Sequence, residues 1–436
     1  MTTPSTLEDR TMRKVARRFL PLIALCYLVL YLDRLNVSVA ALTMNEQLGI
    51  GPAAYGLIAG VFFWTYALFE IPSNYVVSRI GVRIWVARII VSWGVVTMAT
   101  AAAQGTGSLL GLRLLLGIAE AGFSPAMLFF IARWFPPRRR AAAMALMAAA
   151  VPVSAITTPI SAHILTGLDG LGGLAGWRWL FLITGLPAVV LGFVFYRVIR
   201  DDPADATFLA PDERAWLRAE TARETLGGHG FRHGMLNPRV AVLVVVFLLF
   251  TFSLFGYQFF LPQILRQFGL GTNAVGWVAA LPPLLAVGPM IWWARHSDRK
   301  QERARHYAAA AATAAVGFLA AGFLLHQPAA AVAGFCVAGI GLYACIPTQL
   351  AIPSTFLSGP ALAAGLATIN GLGNIGGYLG PQITGVLRGV SGSYTVAVLV
   401  LGVALLASSG LALLLDFRVR RTAVAAVPEK AVLDVA

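Results

Sequence analysis

From Val240 to Leu265 the chain runs for 26 residues without a charged side chain. About 20 apolar residues are what a helix needs to cross the hydrocarbon core of a bilayer. Comparable runs lie near 19–43, 53–76, 84–104, 109–133, 140–165 and 178–198. A second set lies near 240–265, 274–295, 306–326, 329–350, 361–387 and 392–416. The runs are too long for barrel strands and do not alternate, and a lipid-embedded backbone must satisfy its own hydrogen bonds, so each is predicted helical. The expectation is an all-α polytopic membrane protein with twelve transmembrane helices in two pseudo-symmetric six-helix bundles. Residues 1–200 form the first bundle, 201–238 a cytoplasmic linker, and 239–436 the second bundle with a short tail.

Composition agrees. Of 436 residues, 58% are hydrophobic and 12% charged, against about 25% charged in soluble proteins. Mean hydropathy is +0.76, too apolar for a soluble surface. The apolar stretch after Arg10, Arg13, Lys14, Arg17 and Arg18 exceeds the h-region of a signal peptide and reads as a retained first span.

The net charge of +14 does not indicate nucleic acid, because the basic residues fall in short clusters between apolar runs. Loops on one side carry Arg79, Arg83 and Arg88, then Arg133 with Arg138 to Arg140, then Arg197 and Arg200, then Arg295, Arg299, Lys300, Arg303 and Arg305. Loops on the other side carry Arg178, Arg266 and Arg388. The positive-inside rule places both termini and the linker in the cytoplasm. In the linker, "APDERAWLRAE" has Pro in the first turn, early acids and later arginines, which predicts a short amphipathic helix at the membrane surface. The three cysteines lack metal-ligand spacing, and neither a phosphate-binding loop nor H-E-x-x-H occurs. No cofactor or metal is implied, and no nucleophile–base pair suggests an enzyme.

Two segments repeat. "NYVVSRIGVR" closes the second span and "ARHSDRKQER" closes the second span of the second group, so the halves are related units. Here the chain resembles the major facilitator superfamily, whose signature after the second span has the form G-x-x-x-D-R-x-G-R. The first copy has Asn74 and Ser78 at the Gly and Asp positions, then Arg79, Gly81 and Arg83. The second has Asp298, Arg299 and Arg303. The resemblance implies a gating contact at Arg79, Gly81, Arg83, Asp298 and Arg299. In the first copy the missing Asp leaves the usual charge contact without its acid.

A closer resemblance covers nearly the whole chain. "YLDRLNVSVAALTMNEQLG", "FFWTYALFEIPSNYVVSRIG", "RLLLGIAEAGFSPAM", "GWRWLFLITGLPA" and "NGLGNIGGYLGP" are similar to the anion:cation symporter branch. That resemblance implies uptake of an organic anion with protons, residence in a bacterial inner membrane, and function as a monomer.

The residues supply the chemistry. An ionisable group at the bilayer centre costs roughly 2.5–3.5 kcal/mol, so intramembrane charges point to function. Asp33 and Arg34 stand in the first span. Helix neighbours are about 100° apart, so one should face a cavity and the other a packed neighbour, or both should flank a cavity wall. Arg113 and Glu120 are two turns apart on one face of the fourth span, with Gly117 between them leaving room for a helix or a ligand. An arginine fork matches a carboxylate, and a carboxylic acid in a low-dielectric site titrates nearer neutrality. Arg34 is therefore assigned to the substrate carboxylate. Asp33 and Glu120 are assigned to proton coupling, with Arg113 biasing Glu120, and the resemblance implies the same roles. Tyr31 and Tyr66 lie near the midplane, and Glu70, before Pro72, suits a structural or gating role. The second half offers Tyr257, Gln258, Gln349, Asn370 and Asn374. Asn370 and Asn374 are candidates to line the substrate, and the glycine-rich stretch around them is predicted to bend or pack closely. The reading is a proton-coupled symporter of a small organic carboxylate working by alternating access. A membrane sensor that binds an anion without net transport is the alternative, disfavoured by short loops.

Overall fold

The computed structural model describes residues 6–222 and 231–425. The first half holds α1 (Leu7–Gln47), α2 (Pro52–Ile80) and α3 (Val82–Thr100). Its fourth span is divided into α4 (Thr106–Glu120) and α5 (Phe123–Trp134). The fifth is divided into α6 (Pro137–Val153) and α7 (Thr157–Gly167) by a short 3-10 turn after Pro152, which cannot complete the backbone ladder. The sixth is α8 (Gly176–Val198), and α9 (Pro211–Ala222) and α10 (Phe231–Leu236) follow. The second half holds α11 (Pro238–Arg266), α12 (Thr272–Lys300), α13 (Arg303–Phe323), α14 (Pro328–Ala351), α15 (Gly359–Gly373), α16 (Ile375–Ser391) and α17 (Thr395–Ala425).

Among the described residues, 11 segments are long and apolar enough to cross a membrane. The twelfth span is α15 with α16. It bends at Asn374, whose N–H still reaches the Asn370 carbonyl, into helices of 15 and 17 residues. Pro381, at the end of the glycine-rich stretch, lies inside α16. Glycine sets the packing distances: a Cβ on Gly94 of α3 would fall 2.8 Å from the Gly185 carbonyl oxygen of α8.

The two halves touch at the face away from Leu7. A Cβ on Gly56 of α2 would fall 2.5 Å from the Pro381 carbonyl oxygen of α16, and one on Gly60 would fall 2.7 Å from that of Tyr378. Phe63 packs on Phe255 with ring centroids 4.3 Å apart. Tyr55 donates to the Phe259 carbonyl at 3.0 Å, and Thr166 donates to Asn273 Oδ1 at 3.1 Å. Tyr55, Gly56 and Asn273 lie in the first turns of α2 and α12 and Thr166 in the last turn of α7, while Phe63 meets Phe255 nearer the middle of both helices. At the face bearing Leu7, the described ion pairs stay within one half or join the first half to the linker. Crosslinking should report this state. A Thr166→Cys/Asn273→Cys variant is expected to form a short-reagent crosslink that stops transport, with activity returning on reduction.

The linker helix is bolted to α1. Arg10 meets Asp212 at 2.7 Å and Glu213 at 2.9 Å, and Lys14 meets Glu213 at 2.9 Å. Arg139 at the start of α6 meets Glu8 at 3.1 Å and Asp9 at 2.6 Å. Burial alone would raise the Glu213 carboxyl, but the Ala210 N–H, Lys14 and Arg10 outweigh it and hold it below the usual range. Its contribution to stability is therefore present above the ordinary glutamate pKa and is lost as pH falls through the lowered one. Glu213→Gln is expected to cost about 1–2 kcal/mol at pH 7, since both cations are half-exposed. The difference from wild type should shrink in acid, as read by thermal unfolding in detergent.

Candidate functional site

Asp33 and Arg34 diverge, as adjacent helical residues must. The Asp33 side chain turns into the first bundle, where Oδ2 accepts from Thr97 at 2.8 Å and Oδ1 is buried without a hydrogen-bond partner. Arg34 turns toward α4. Its Nε donates to Glu120 Oε2 at 2.9 Å, and Nη2 stands 2.9 Å from the same oxygen in an ion pair but without hydrogen-bond alignment. The Glu120 side chain is fully buried and that of Arg34 is 11% exposed. Glu120 Oε1 has no partner. The guanidinium carbon also lies 5.1 Å from the Tyr66 ring, 5.2 Å from Phe62 and 5.8 Å from Tyr31. Ring faces stabilise a cation without neutralising it.

α2 and α4 approach closely to build this cage. A Cβ on Gly117 would run into the Phe62 carbonyl and the Thr65 hydroxyl. Of the two uses open to Gly117 in the sequence, it serves the helix. Glu120 is the last residue of α4, and the chain then turns through Gly122 at φ 88° before α5 begins. The fourth span is therefore broken at its acid, where the sequence predicts one helix.

Among the described residues Arg113 makes no hydrogen bond or ion pair with Glu120, so its expected bias on that acid acts through space. Its Nε donates to the Ile58 carbonyl at 3.2 Å and its Nη2 to the Ala59 carbonyl at 3.3 Å, both on α2. It lies 5.2 Å from the Phe62 ring and 5.9 Å from the Phe259 ring of the second half. Helix periodicity puts Arg113 and Glu120 on one face, but carbonyls beside α4 capture the arginine and the pairing with Glu120 falls to Arg34. Glu70, one turn beyond Tyr66, keeps a buried Oε2 without a partner.

Asn370 and Asn374 are half-buried. Asn370 lines a crevice inside the second half with Gln349, Phe247 and Leu243, and no described contact joins either asparagine to Arg34. A cavity between the halves is lined instead by Ser38, Thr158, Tyr257, Gln258, Pro283 and Tyr343. Gln258 donates to the Tyr343 hydroxyl at 3.0 Å, and the buried Tyr257 hydroxyl has no partner. Ser38 is one turn from Arg34 on the same face of α1. Ser38, Thr158 and Tyr343 are polar side chains that sequence reasoning missed. The i, i+4 spacing of Arg34 and Ser38 was the available signal.

Among the described residues the repeated segments make no hydrogen bond or ion pair between halves. Arg79 donates to the Tyr75 hydroxyl at 3.0 Å, and Arg83 Nε donates to the Tyr196 carbonyl at 2.8 Å. Gly81, at φ 89°, presses on the Asp201 carboxylate, which accepts from the Arg83 backbone N–H at 3.0 Å. The acid missing at Ser78 has a counterpart in Asp201, far away in sequence. Asp298 lies 4.0 Å from Arg303, and Arg299 is exposed.

Two six-helix bundles around a charged, ring-lined centre suit a membrane transporter. The sequence pattern of the Major Facilitator Superfamily matches residues 23–381, and the chain belongs to that superfamily. It is 42% identical to a "Putative tartrate transporter" of Agrobacterium vitis over 89% of this chain and 91% of that protein. It is 35% identical to a "Quinolone resistance transporter" of Acinetobacter baumannii over 92% and 93% of the two. Its fold is similar to that of an inward-facing, unoccupied bacterial homologue of the human lysosomal transporter Spinster. The TM-score is 0.71 at 19% identity, covering 95% of this chain and 96% of that one.

The break after Glu120 is open to test. Gly122 combines a left-handed backbone with a Cβ direction that runs into the Ser73 hydroxyl, which accepts from Trp85 at 2.8 Å. Gly122→Ala is expected to cost about 1–3 kcal/mol from backbone strain alone. Thermal unfolding should fall accordingly, while Gly111→Ala, where an added Cβ meets open space, leaves it unchanged.

Proposed function

We propose that the chain is a proton-coupled symporter that takes up a small organic carboxylate, such as a sugar acid, dicarboxylate or aromatic acid, by alternating access. The observation that carries this reading is the Arg34–Glu120 pair. Arg34 has one counter-charge, a carboxylate that is fully buried and half-satisfied. Removing either charge alone would strand the other in a low-dielectric site, which is costly. A proton on Glu120 releases Arg34, and an incoming carboxylate then restores its counter-charge with a two-pronged contact. Proton and anion thereby enter together, and neither is bound stably alone.

Asp33 is the second proton-carrying acid, held against Thr97. Arg113 acts as a fixed positive charge, 5.2 Å from the same Phe62 ring as Arg34, and biases both acids through space. Tyr31 and Tyr66 line the substrate, and Asn370 and Asn374 contact it from the second half as the halves move. In this reading residues 1–200 and 239–436 are the two rocking units and 201–238 the linker. The protein works as a monomer in the inner membrane with both termini in the cytoplasm. The basic face bearing Leu7 supports that orientation, and the contacts between halves at the opposite face make the present state open to the cytoplasm. Arg79, Gly81, Arg83, Asp298 and Arg299 are then gate residues that meet across the halves in the alternate state.

The name of the Agrobacterium vitis relative supports a carboxylate as cargo. In proteoliposomes, an imposed inward proton gradient should drive accumulation of a carboxylate from a panel of tartrate, sugar acids and aromatic acids, with external alkalinisation. Arg34→Ala is expected to weaken substrate binding by about 10- to 100-fold, the value of a lost charge-assisted contact. Glu120→Gln should retain binding and exchange but lose gradient-driven accumulation. Full gradient-driven uptake by both variants would overturn the assignment.

A further inference from the structure

α12 presents two faces. Ala279 and Pro283 line the cavity between the halves, and Met290 packs with Tyr343. The opposite face carries Leu281, Leu285, Gly288, Trp292, Arg295 and Arg299, at spacings of four, three, four, three and four. That is one unbroken stripe on a helix, pointing away from the cavity and so toward lipid. Leu281, Leu285 and Trp292 are 43%, 52% and 60% exposed. A Cβ on Gly288 would meet nothing within 4 Å, so the track has a shelf below the tryptophan. An open groove runs over Gly288, Trp292, Arg295, His296 and Arg299 at its basic end.

The basic end is preorganised. Among the described residues, Arg295 and Arg299 have no hydrogen-bond or ion-pair partner, and the intervening Asp298 faces Arg303 at 4.0 Å. His306 Nδ1 lies 2.8 Å from the Glu302 carbonyl oxygen, which only accepts, so that nitrogen carries the proton. His306 Nε2 and His296 Nδ1 lie 2.7 Å apart, and one of them donates to the other. This bond fixes the His296 ring, and the Trp292 indole stacks on it at 5.5 Å and 18°. Trp293 donates to the His306 carbonyl at 3.0 Å and locks the base of the stack.

We propose that this end of α12 binds an anionic phospholipid, its phosphate held by Arg295 and Arg299 and one acyl chain lying along Leu281, Leu285 and the Gly288 shelf. Two unpaired guanidinium groups at the end of an apolar track suit a phosphate attached to hydrocarbon. A fixed tryptophan at the junction suits the interfacial layer. The apolar track faces away from the cavity between the halves, only Arg299 is shared with the proposed gate, and lipid retention is read without transport.

The test uses the full chain in detergent, with native mass spectrometry counting retained lipid. Wild type should retain phosphatidylglycerol in preference to phosphatidylcholine, and millimolar inorganic phosphate should not displace it. Arg295→Gln/Arg299→Gln is expected to lose affinity by about tenfold or more, from about 1 kcal/mol for each basic residue near the surface. Arg197→Gln, an exposed arginine of the first half, should change nothing. Gly288→Leu keeps both charges and blocks the shelf, so it should weaken retention even if the double variant fails to fold. Equal retention of the two lipids, displacement by free phosphate, or unchanged retention by both the double variant and Gly288→Leu would overturn the proposal.

Discussion

A guanidinium at membrane depth must keep a counter-charge, and Arg34 keeps Glu120. Much of the first half is arranged around that need. The fourth span stops at Glu120 and restarts past Gly122, which sets the acid at a helix end. Gly117 lets α2 approach, so that Phe62 and Tyr66 present ring faces to the same cation. Asp33 is turned away into Thr97, which prevents it from competing for the arginine next to it in the chain.

The halves divide the work unevenly. The first supplies both acids and both arginines. The second supplies neutral hydrogen-bonding groups, with Gln258 and Tyr343 already paired and Tyr257 unsatisfied. Under the proposed function a charged half would set whether an anion enters, and a neutral half would distinguish one anion from another through the hydroxyl groups it offers. α9 is clipped by ion pairs to α1, so the linker belongs mechanically to the first half up to that helix.

The spans were legible because twenty apolar residues leave a chain few alternatives in lipid. Arg34 and Glu120 were legible as charges that a span must accommodate for the same reason. Their partnership was not, because periodicity reports which residues share a face and says nothing about which neighbouring helix arrives there. Arg113 shows this: its expected acid was two turns away, yet the carbonyls of Ile58 and Ala59 took its donors. Asp201 was hidden for another reason. It serves Arg83 across 118 residues of chain, and no local pattern marks such a contact. The kink at Asn374 was foreseeable from the glycines around it, but its position depended on how α11 packs against Gly373 and Gly376.

The seal between Gly56 and Pro381 and between Gly60 and Tyr378 is made of glycine surfaces and backbone carbonyls, with no ionised group in it. Its strength comes from dispersion over close-packed atoms, which neither ionic strength nor acidity weakens. Parting these helices therefore hydrates no ions and releases none. Solution conditions reach the molecule instead through its basic rim on the opposite face and through the charged centre, so one face is blind to salt where the halves meet and the other feels its surroundings.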